Sequence, residues 1–438
     1  MTDDAFAPGF KEEPWWWEAA PPRPAAAQLP ETAEVLVIGG GICGLSTAIE
    51  LGRAGVPALV LDREAIGWGA SSRNGGAVSG AASLGRAKSN LQSAVDAALL
   101  AEMVEEAERS FEDFEALITE EGIACDWRRT GRFVGAHAPS AMATLAARAD
   151  LLNRSDPGVA ELVPRERLAE ELPTPHYHGG LIIRRAGGLH PARYTLGLAD
   201  AARRHGATLA SPVEVRGVAR DGNVFVVATD KGVVRARQVM VATNGYTGPA
   251  TPWHRRRVIP VASYMIATEP LGAERVRTLL PQGRVYGDTK KILYYFRPSP
   301  DGERILFGGR ATLRDTDVRI GALWLHRHLL HLLPQLRGTR ISHGWKGNVA
   351  FALDFLPHVG MQDGIHYALG CNGSGVVTMT HLGRVAARMM LGGANRASAF
   401  ARATLPGNPL YRGRPWFMPL VTGWYRLKDR MDGWRVPD

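Results

Sequence analysis

The chain has 438 residues, 45% hydrophobic and 22% charged, with a formal net charge of +9. That length exceeds a single compact core and points to two intertwined domains of ordinary globular composition. The charge is scattered over arginines. Its densest run, Arg255-Arg256-Arg257, leads straight into the strand-like Val258-Ile259-Pro260-Val261, which reads as a solvated face or a mild attraction for anions and not as a nucleic-acid-binding tail.

Cys43, Cys125 and Cys371 lie far apart, without CxxC or metal-ligand spacing, so a reduced, cytoplasmic setting and no metal are expected. The acidic Met-Thr-Asp-Asp start has no apolar run behind it, and no signal peptide is expected. Residues 35–51 are apolar enough to suggest a membrane span, but four glycines and a polar second half argue against one.

In chain order, residues 1–31 form an arm rich in Pro, Ala and Trp, whose Trp15-Trp16-Trp17 run suits docking on the body better than lining a site. Residues 35–62 then read strand, glycine turn, helix, strand and acid. Gly39 permits the tight turn, Gly41 lets a pyrophosphate approach the backbone, and Gly44 lets the helix pack closely on the sheet. The helix start offers N–H groups and a positive dipole end to phosphates, and Asp62 stands where an acid accepts ribose hydroxyls. This spacing predicts a dinucleotide, with FAD and NAD both open.

Gly67 to Gly76 is a second small-residue stretch within a long loop over 63–90. An amphipathic helix is expected over 92–121, a strand over 126–135, and helices over 139–151 and 164–171. A helix over 191–205 ends at Gly206, followed by strands at 207–210, 212–218, 223–229 and 232–235 and a buried strand at 239–243. Strands at 258–268, 292–297 and 304–308, a helix at 319–333, a strand at 365–370 and a helix at 376–391 complete the pattern. The chain thus leaves the nucleotide unit and returns to it. This divides it into an arm (1–31), a discontinuous nucleotide domain (32–90, 188–250 and 340–395), a substrate domain (91–187 and 251–339) and a C-terminal extension (396–438). The fold class is α/β, Rossmann-like, with an interleaved antiparallel-sheet substrate domain.

Several dispersed blocks carry a family resemblance: Gly39–Gly44, Gly69-Ala70-Ser71-Ser72-Arg73-Asn74-Gly75-Gly76, Val241–Tyr246, Arg257–Val261, Tyr294-Tyr295-Phe296-Arg297, Phe307–Arg310, Asp354–Gly360 and Gly370–Val376. In order and spacing they resemble the D-amino-acid oxidase-like FAD-dependent oxidoreductases (glycine and sarcosine oxidases), and most of all the gamma-glutamylputrescine oxidase branch. The resemblance implies that Gly39, Gly41, Ile42, Cys43, Gly44, Asp62 and Arg63 hold the adenosine diphosphate end of FAD. It implies that Ala70, Ser71, Ser72, Asn74, Gly75 and Gly76 run past the flavin, that the Val213 backbone meets adenine, and that Ala242 and Thr243 join the site. Gly373, Ser374, Gly375 and Val376 would start a helix at the pyrimidine end of the ring, where its dipole stabilises negative charge. Without a histidine in the early loop, and with Cys371 at no obvious linkage position, FAD is expected to be noncovalent.

Two departures qualify the substrate. Val349 stands where amino-acid oxidases of the family carry an arginine for the substrate carboxylate, which favours an amine. The strand Ile305-Leu306-Phe307 lacks the lysine that helps some members react with oxygen; Lys346 is a substitute or simply an exposed lysine. Tyr264, Tyr295 and Trp345 are candidate walls that lower an amine pKa, or ordinary core, and Arg310 and Arg297 would hold an anionic tail, the flavin, or surface ion pairs. His326, His328 and His331 do not share one helical face, and His343 and His358 suit structural hydrogen bonds better than proton transfer. The implied activity is oxidation of a primary or secondary amine. Hydride passes from the carbon next to nitrogen to flavin N5, the imine is hydrolysed, and oxygen is reduced to hydrogen peroxide. The partners implied are a small-molecule amine and oxygen or another electron acceptor, with no nucleic acid and no membrane span. Three rivals stay open: a dehydrogenase serving a quinone or carrier protein, an RNA-modification flavoprotein, and an NAD-dependent enzyme.

Overall fold

The computed structural model describes residues 3–26, 28–79, 95–310, 315–393 and 398–434. The outer part of the expected 63–90 loop and the first residues of the expected 92–121 helix lie outside the described residues.

Five parallel strands make the nucleotide unit, in the spatial order Ile365–Leu369, Gly232–Val241, Thr32–Ile38, Ala58–Leu61 and Thr208–Ala210. Their near-continuous Val, Leu and Ile runs reflect burial on both faces, as parallel sheets require. Gly232–Val241 is one strand where the sequence suggests two. Its first half pairs antiparallel with Val224–Thr229, and its last residues pair with Ile365–Leu369 on the same edge. Helices Ile42–Arg53 and Gly375–Met390, far apart in sequence, pack side by side because glycine lets them. A Cβ on Gly383 would lie 2.4 Å from the Cys43 carbonyl oxygen, and Thr47 Oγ1 donates to the Gly383 carbonyl at 3.0 Å.

The second unit is a nine-stranded sheet, antiparallel except at two pairings. Its order is Phe6–Lys11, Ile341–Phe351, Ile259–Thr268, Ile305–Gly309, Tyr294–Pro298, Val285–Asp288, Arg132–Gly135, Gly180–Ile183 and Ala160–Val163. Two features differ from the sequence reading. The arm supplies an edge strand, Phe6–Lys11, which Pro8 and Gly9 disguise and which an edge tolerates. Ile341–Phe351, read with the nucleotide domain, pairs along its length with Ile259–Thr268 and so belongs to this sheet.

The long helix Ala97–Glu120, capped by Asp96 accepting from the Leu99 N–H, ties the C-terminal return to the nucleotide unit. Its Glu106 is buried and bonds His381 Nε2 at 2.6 Å, and it accepts from Ser398 Oγ and the Ala399 N–H, each at 2.7 Å. Burial pushes this carboxyl up, but the donors from His381, Ser398 and Ala399 outweigh it and hold it below its ordinary value. A depressed carboxyl stabilises the fold above its unfolded pKa of about 4.3 and loses that stabilisation as pH falls toward its folded value. Urea midpoints measured from pH 7 down to pH 3 should therefore fall more steeply for the parent chain than for Glu106→Gln. At pH 7 the variant should be about 1–3 kcal/mol less stable.

Candidate functional site

The residues expected to hold an adenosine diphosphate meet where the first strand joins the first helix. Gly39 adopts φ +112°, and a Cβ there would lie 2.9 Å from the Ala242 carbonyl oxygen, so Ala242 and Thr243 press against the turn. A Cβ on Gly44 would sit 2.0 Å from the Gly39 oxygen, which forces glycine at the helix–turn contact. The Gly41 N-cap has no side-chain cap of its own. Ser71 Oγ, from the second loop, accepts the Ile42 N–H at 3.0 Å, and a Cβ on Gly41 would strike that hydroxyl at 2.7 Å. The helix start is therefore glycine-lined backbone donors plus one hydroxyl, a donor set that suits a pyrophosphate. Asp62 accepts the Gly40 N–H at 2.8 Å and the Glu64 N–H at 2.9 Å, while burial pushes its carboxyl up. Arg63 is exposed beside it, its guanidinium 5.8 Å from the Tyr246 ring. Burial also drives the Cys43 thiol up to about 12, so its sulfur stays a neutral, unreactive thiol. The Val213 N–H donates to the Asp62 carbonyl at 2.7 Å, which holds the Val213 backbone beside Asp62.

The second loop is held from behind. A short helix, Ala70–Arg73, runs into Asn74, whose side chain bonds the Ala70 and Ser71 carbonyls and accepts the Gly76 N–H. Trp16 Nε1 donates to the Asn74 carbonyl at 3.0 Å, Trp345 Nε1 to the Arg73 carbonyl at 2.8 Å, and Arg297 Nη1 to the Gly76 carbonyl at 3.2 Å. Trp17 Nε1 donates to Ser72 Oγ at 2.9 Å. A trans peptide carries its C=O and N–H on opposite sides. Fixing the Arg73 and Asn74 carbonyls toward the tryptophans thus turns the N–H groups of Asn74 and Gly75 the other way. The Arg73 guanidinium lies between Trp17 and Trp68, 4.5 and 4.2 Å from their rings.

The glycine turn near 373 completes a ring of loops. Asn372 (φ +50°) and Gly373 (φ +90°) reverse the chain before the helix Gly375–Met390, whose N-cap Ser374 makes no side-chain cap. Asn372 clamps this turn to the strand end, its N–H donating to the Ala350 carbonyl and its Oδ1 accepting from the Ala352 N–H. Val349 approaches within 4.0 Å of where a Gly373 Cβ would be. Half-buried Cys371 borders Gly375, whose Cβ position is 3.5 Å from its sulfur. Asn244 Oδ1 accepts the Gly370 N–H at 3.0 Å, and the Tyr246 hydroxyl accepts the Asn348 N–H at 3.2 Å.

Strand parity decides which substrate-side candidates face these loops. Met265, Ala267, Leu306 and Trp345 pack with Trp15 and Trp16 on the face toward the nucleotide unit. Tyr295 lies on that face too, its ring 3.0 Å from a Gly75 Cβ and its hydroxyl 2.9 Å from Ser263 Oγ. Trp345 is fully buried behind the loop, so it braces the loop. Half-buried Arg310 lies against Phe351, 4.6 Å from the ring. Tyr264 and Lys346 are paired neighbours on the opposite face, and both bond Asp315 and the Thr316 carbonyl. They are therefore apart from Gly75 and Tyr295.

The histidines are used structurally. His358 bonds Asp354 and the Ala403 carbonyl, His343 contacts Glu18 of the arm, and His326 bonds the Thr339 carbonyl. Sequence reasoning ranked a site role for the Trp run below anchoring and gave none to Arg73, Asn244 or Tyr246. The Trp run was the one available signal, since adjacent indoles packed into a protein bring N–H donors that need acceptors.

A family model described as FAD dependent oxidoreductase (DAO) matches residues 34–389. The chain belongs to this family. It is 33% identical to the gamma-glutamylputrescine oxidoreductase of Escherichia coli (strain K12) over 410 residues, 91% of this chain and 93% of that one. It is 29% identical to the probable oxidoreductase OrdL of Rhizobium meliloti (strain 1021), covering 97% and 98% of the two chains. In fold it is similar to glycine oxidase from Geobacillus kaustophilus, with a TM-score of 0.72 and 21% identity over 86% of this chain and 99% of that one. As a DAO-family flavoprotein it is an FAD-dependent oxidoreductase, taking a small-molecule substrate and an electron acceptor, on the Rossmann-like fold read from its glycines. Among the described residues no helix is long and apolar enough to cross a membrane.

Replacing Trp16 by Phe keeps the ring packing but deletes the donor to Asn74. We expect a stability loss of about 1 kcal/mol by urea unfolding, and an altered 450 nm band of the bound flavin. Trp17→Phe should show the smaller effect, because Ser72 Oγ keeps the Gly67 carbonyl as a partner.

Proposed function

We propose that this enzyme oxidises an amine at the carbon next to nitrogen, and that the amine carries a distal anionic group. The carrying observation is the meeting of Tyr295 with Gly75, which sets an aromatic wall of the substrate sheet directly against the loop beside the flavin. The likeness to gamma-glutamylputrescine oxidoreductase supports an amine. So does Val349 at the place of a carboxylate-binding arginine.

The residues that would hold FAD, noncovalently in this reading, are the Gly39–Gly44 helix start with Asp62 at the adenosine end, and the Asn74 and Gly75 N–H groups with the Gly375–Met390 helix start at the ring end. Bound there, FAD supplies a two-electron acceptor. Everything else falls to the chain. Burial drives the Tyr295 phenol up to about 12, so it stays a neutral hydroxyl that can bond a substrate nitrogen. Arg310 projects from the next strand end and lowers the Tyr295 pKa in part, so its charge is felt there. A guanidinium so placed pairs an anionic tail and, by like-charge repulsion, favours the neutral amine from which hydride can leave.

Oxygen, yielding hydrogen peroxide, is the acceptor in this reading. A specific observation favours the rival acceptor, a quinone or carrier protein: Lys346 sits on the far face, paired with Asp315. Anaerobic reduction by a panel of polyamines, their carboxylated derivatives and amino acids, followed by air, tests both parts. Bleaching by amines with a distal carboxylate is expected, with colour returning in seconds. Colour that stays away for minutes sinks the oxidase reading, and reduction only by α-amino acids sinks the amine reading. Arg310→Met should raise KM for carboxylated amines about tenfold or more, while amines without an anionic tail, relieved of the repulsion, should bind no worse.

A further inference from the structure

The C-terminal helix Met418–Met431 is amphipathic in the wrong direction for a helix that packs only on its own protein. At about 100° per residue, Leu420, Trp424, Leu427 and Met431 fall on one stripe. They are 73%, 54%, 48% and 74% exposed. Trp416, just before the helix, is 67% exposed, and Leu410 is 78% exposed. The opposite side, about 180° away, turns its polar residues inward. Thr422 and Asp429 are buried, and Asp429 accepts the N–H groups of Lys291 and Ile292 at 2.8 and 3.0 Å. The helix is anchored to the sheet by that carboxylate and by buried Trp434, stacked on Tyr177. Its apolar side is left to solvent.

The charges beside the stripe say what covers it. Lys428 and Arg430 flank it on both sides, each about 80° from its centre, and Arg412 and Arg414 are exposed before the helix. The acids of this region are turned away or engaged: Asp429 is buried, and Asp432 faces His137 Nε2 at 3.6 Å. A second copy of the same face would bring like charges together. An apolar stripe with tryptophans, bordered by cations that can reach up to phosphate groups, matches the surface of an anionic bilayer.

We propose that this helix seats the enzyme on anionic phospholipid membranes, with Leu420, Trp424, Leu427 and Met431 entering the headgroup boundary and Arg412, Arg414, Lys428 and Arg430 pairing with phosphates. The surface lies outside the flavin and substrate residues and stands whether or not the amine reading does.

The test is co-sedimentation of the full-length holoenzyme with vesicles of phosphatidylcholine alone or mixed with phosphatidylglycerol. Pelleting with the mixed vesicles, weakened by salt, is expected. Trp416→Ser/Leu420→Ser/Trp424→Ser should cut the partition coefficient about tenfold or more while the flavin absorbance stays intact. Should that variant fold poorly, Arg412→Gln/Arg414→Gln/Arg430→Gln, which leaves the stripe alone, must still lower binding to mixed vesicles. Holoenzyme that stays in the supernatant, or pellets equally with both vesicles, overturns the proposal. So does a dimer by light scattering that the triple serine variant converts to monomer.

Discussion

The site rests on the orientation of two peptide planes. The carbonyls of Arg73 and Asn74 are each held from behind by an indole N–H, one from the arm and one from the nine-stranded sheet. Arg297 holds the Gly76 carbonyl in the same way. Each such bond contributes only about 1 kcal/mol to stability. Their larger effect is directional, because a planar peptide anchored at its oxygen has one orientation left for its N–H. An anionic or hydrogen-bonding ring then meets donors already in place, which avoids the entropy of ordering a loop on binding.

This also explains why the arm behaves as part of the fold. Phe6–Lys11 extends the substrate sheet, and the next turn drives Trp15 and Trp16 between that sheet and the nucleotide unit. The first residues of the chain therefore bridge both halves of the site. The last helix of the nucleotide unit closes the other end: Gly383 lets Gly375–Met390 reach Ile42–Arg53, so both helix starts are fixed in one rigid pair. Glu106, on the long helix Ala97–Glu120, joins that helix to the pair through His381 and to the C-terminal return through Ser398.

The nucleotide half was legible because its glycine spacing is set within one strand–turn–helix. Gly44 meets Gly39 there, as the spacing implies, although the contacts that press on Gly39 and Gly41 come from Ala242 and Ser71 elsewhere in the chain. The substrate half was not, for a physical reason. Both faces of the nine-stranded sheet are buried, one under Val318–Leu332 and one under the nucleotide unit, so its strands show no polar alternation to mark the cofactor side. Tyr264 and Tyr295 look alike in sequence, and only the register separates them: Tyr264 pairs with Lys346 and packs at Gly321, while Tyr295 covers Gly308 and reaches Gly75. The arm strand was hidden by Pro8 and Gly9, which disfavour strands in general and are tolerated at an edge. The bond from the Val213 N–H to the Asp62 carbonyl was not legible either, because the two lie about 150 residues apart in sequence.

In the proposed reading, the chemistry asks the site to do two opposed things with charge. The substrate must be recognised in solution as a cation at nitrogen, yet must react as a neutral amine. Among the described residues, the wall around Tyr295 supplies no carboxylate that would hold an ammonium there: Ser263 is its hydroxyl partner, and burial keeps its own phenol neutral. Arg310 adds positive charge to the same wall. Desolvation and this guanidinium both disfavour the ammonium, so the proton is shed on entry. A distal anion on the substrate then offsets what recognition loses at nitrogen. An amine with no anionic tail would suffer the repulsion without the compensating pair, and this is why the reading favours a carboxylated amine over a simple polyamine.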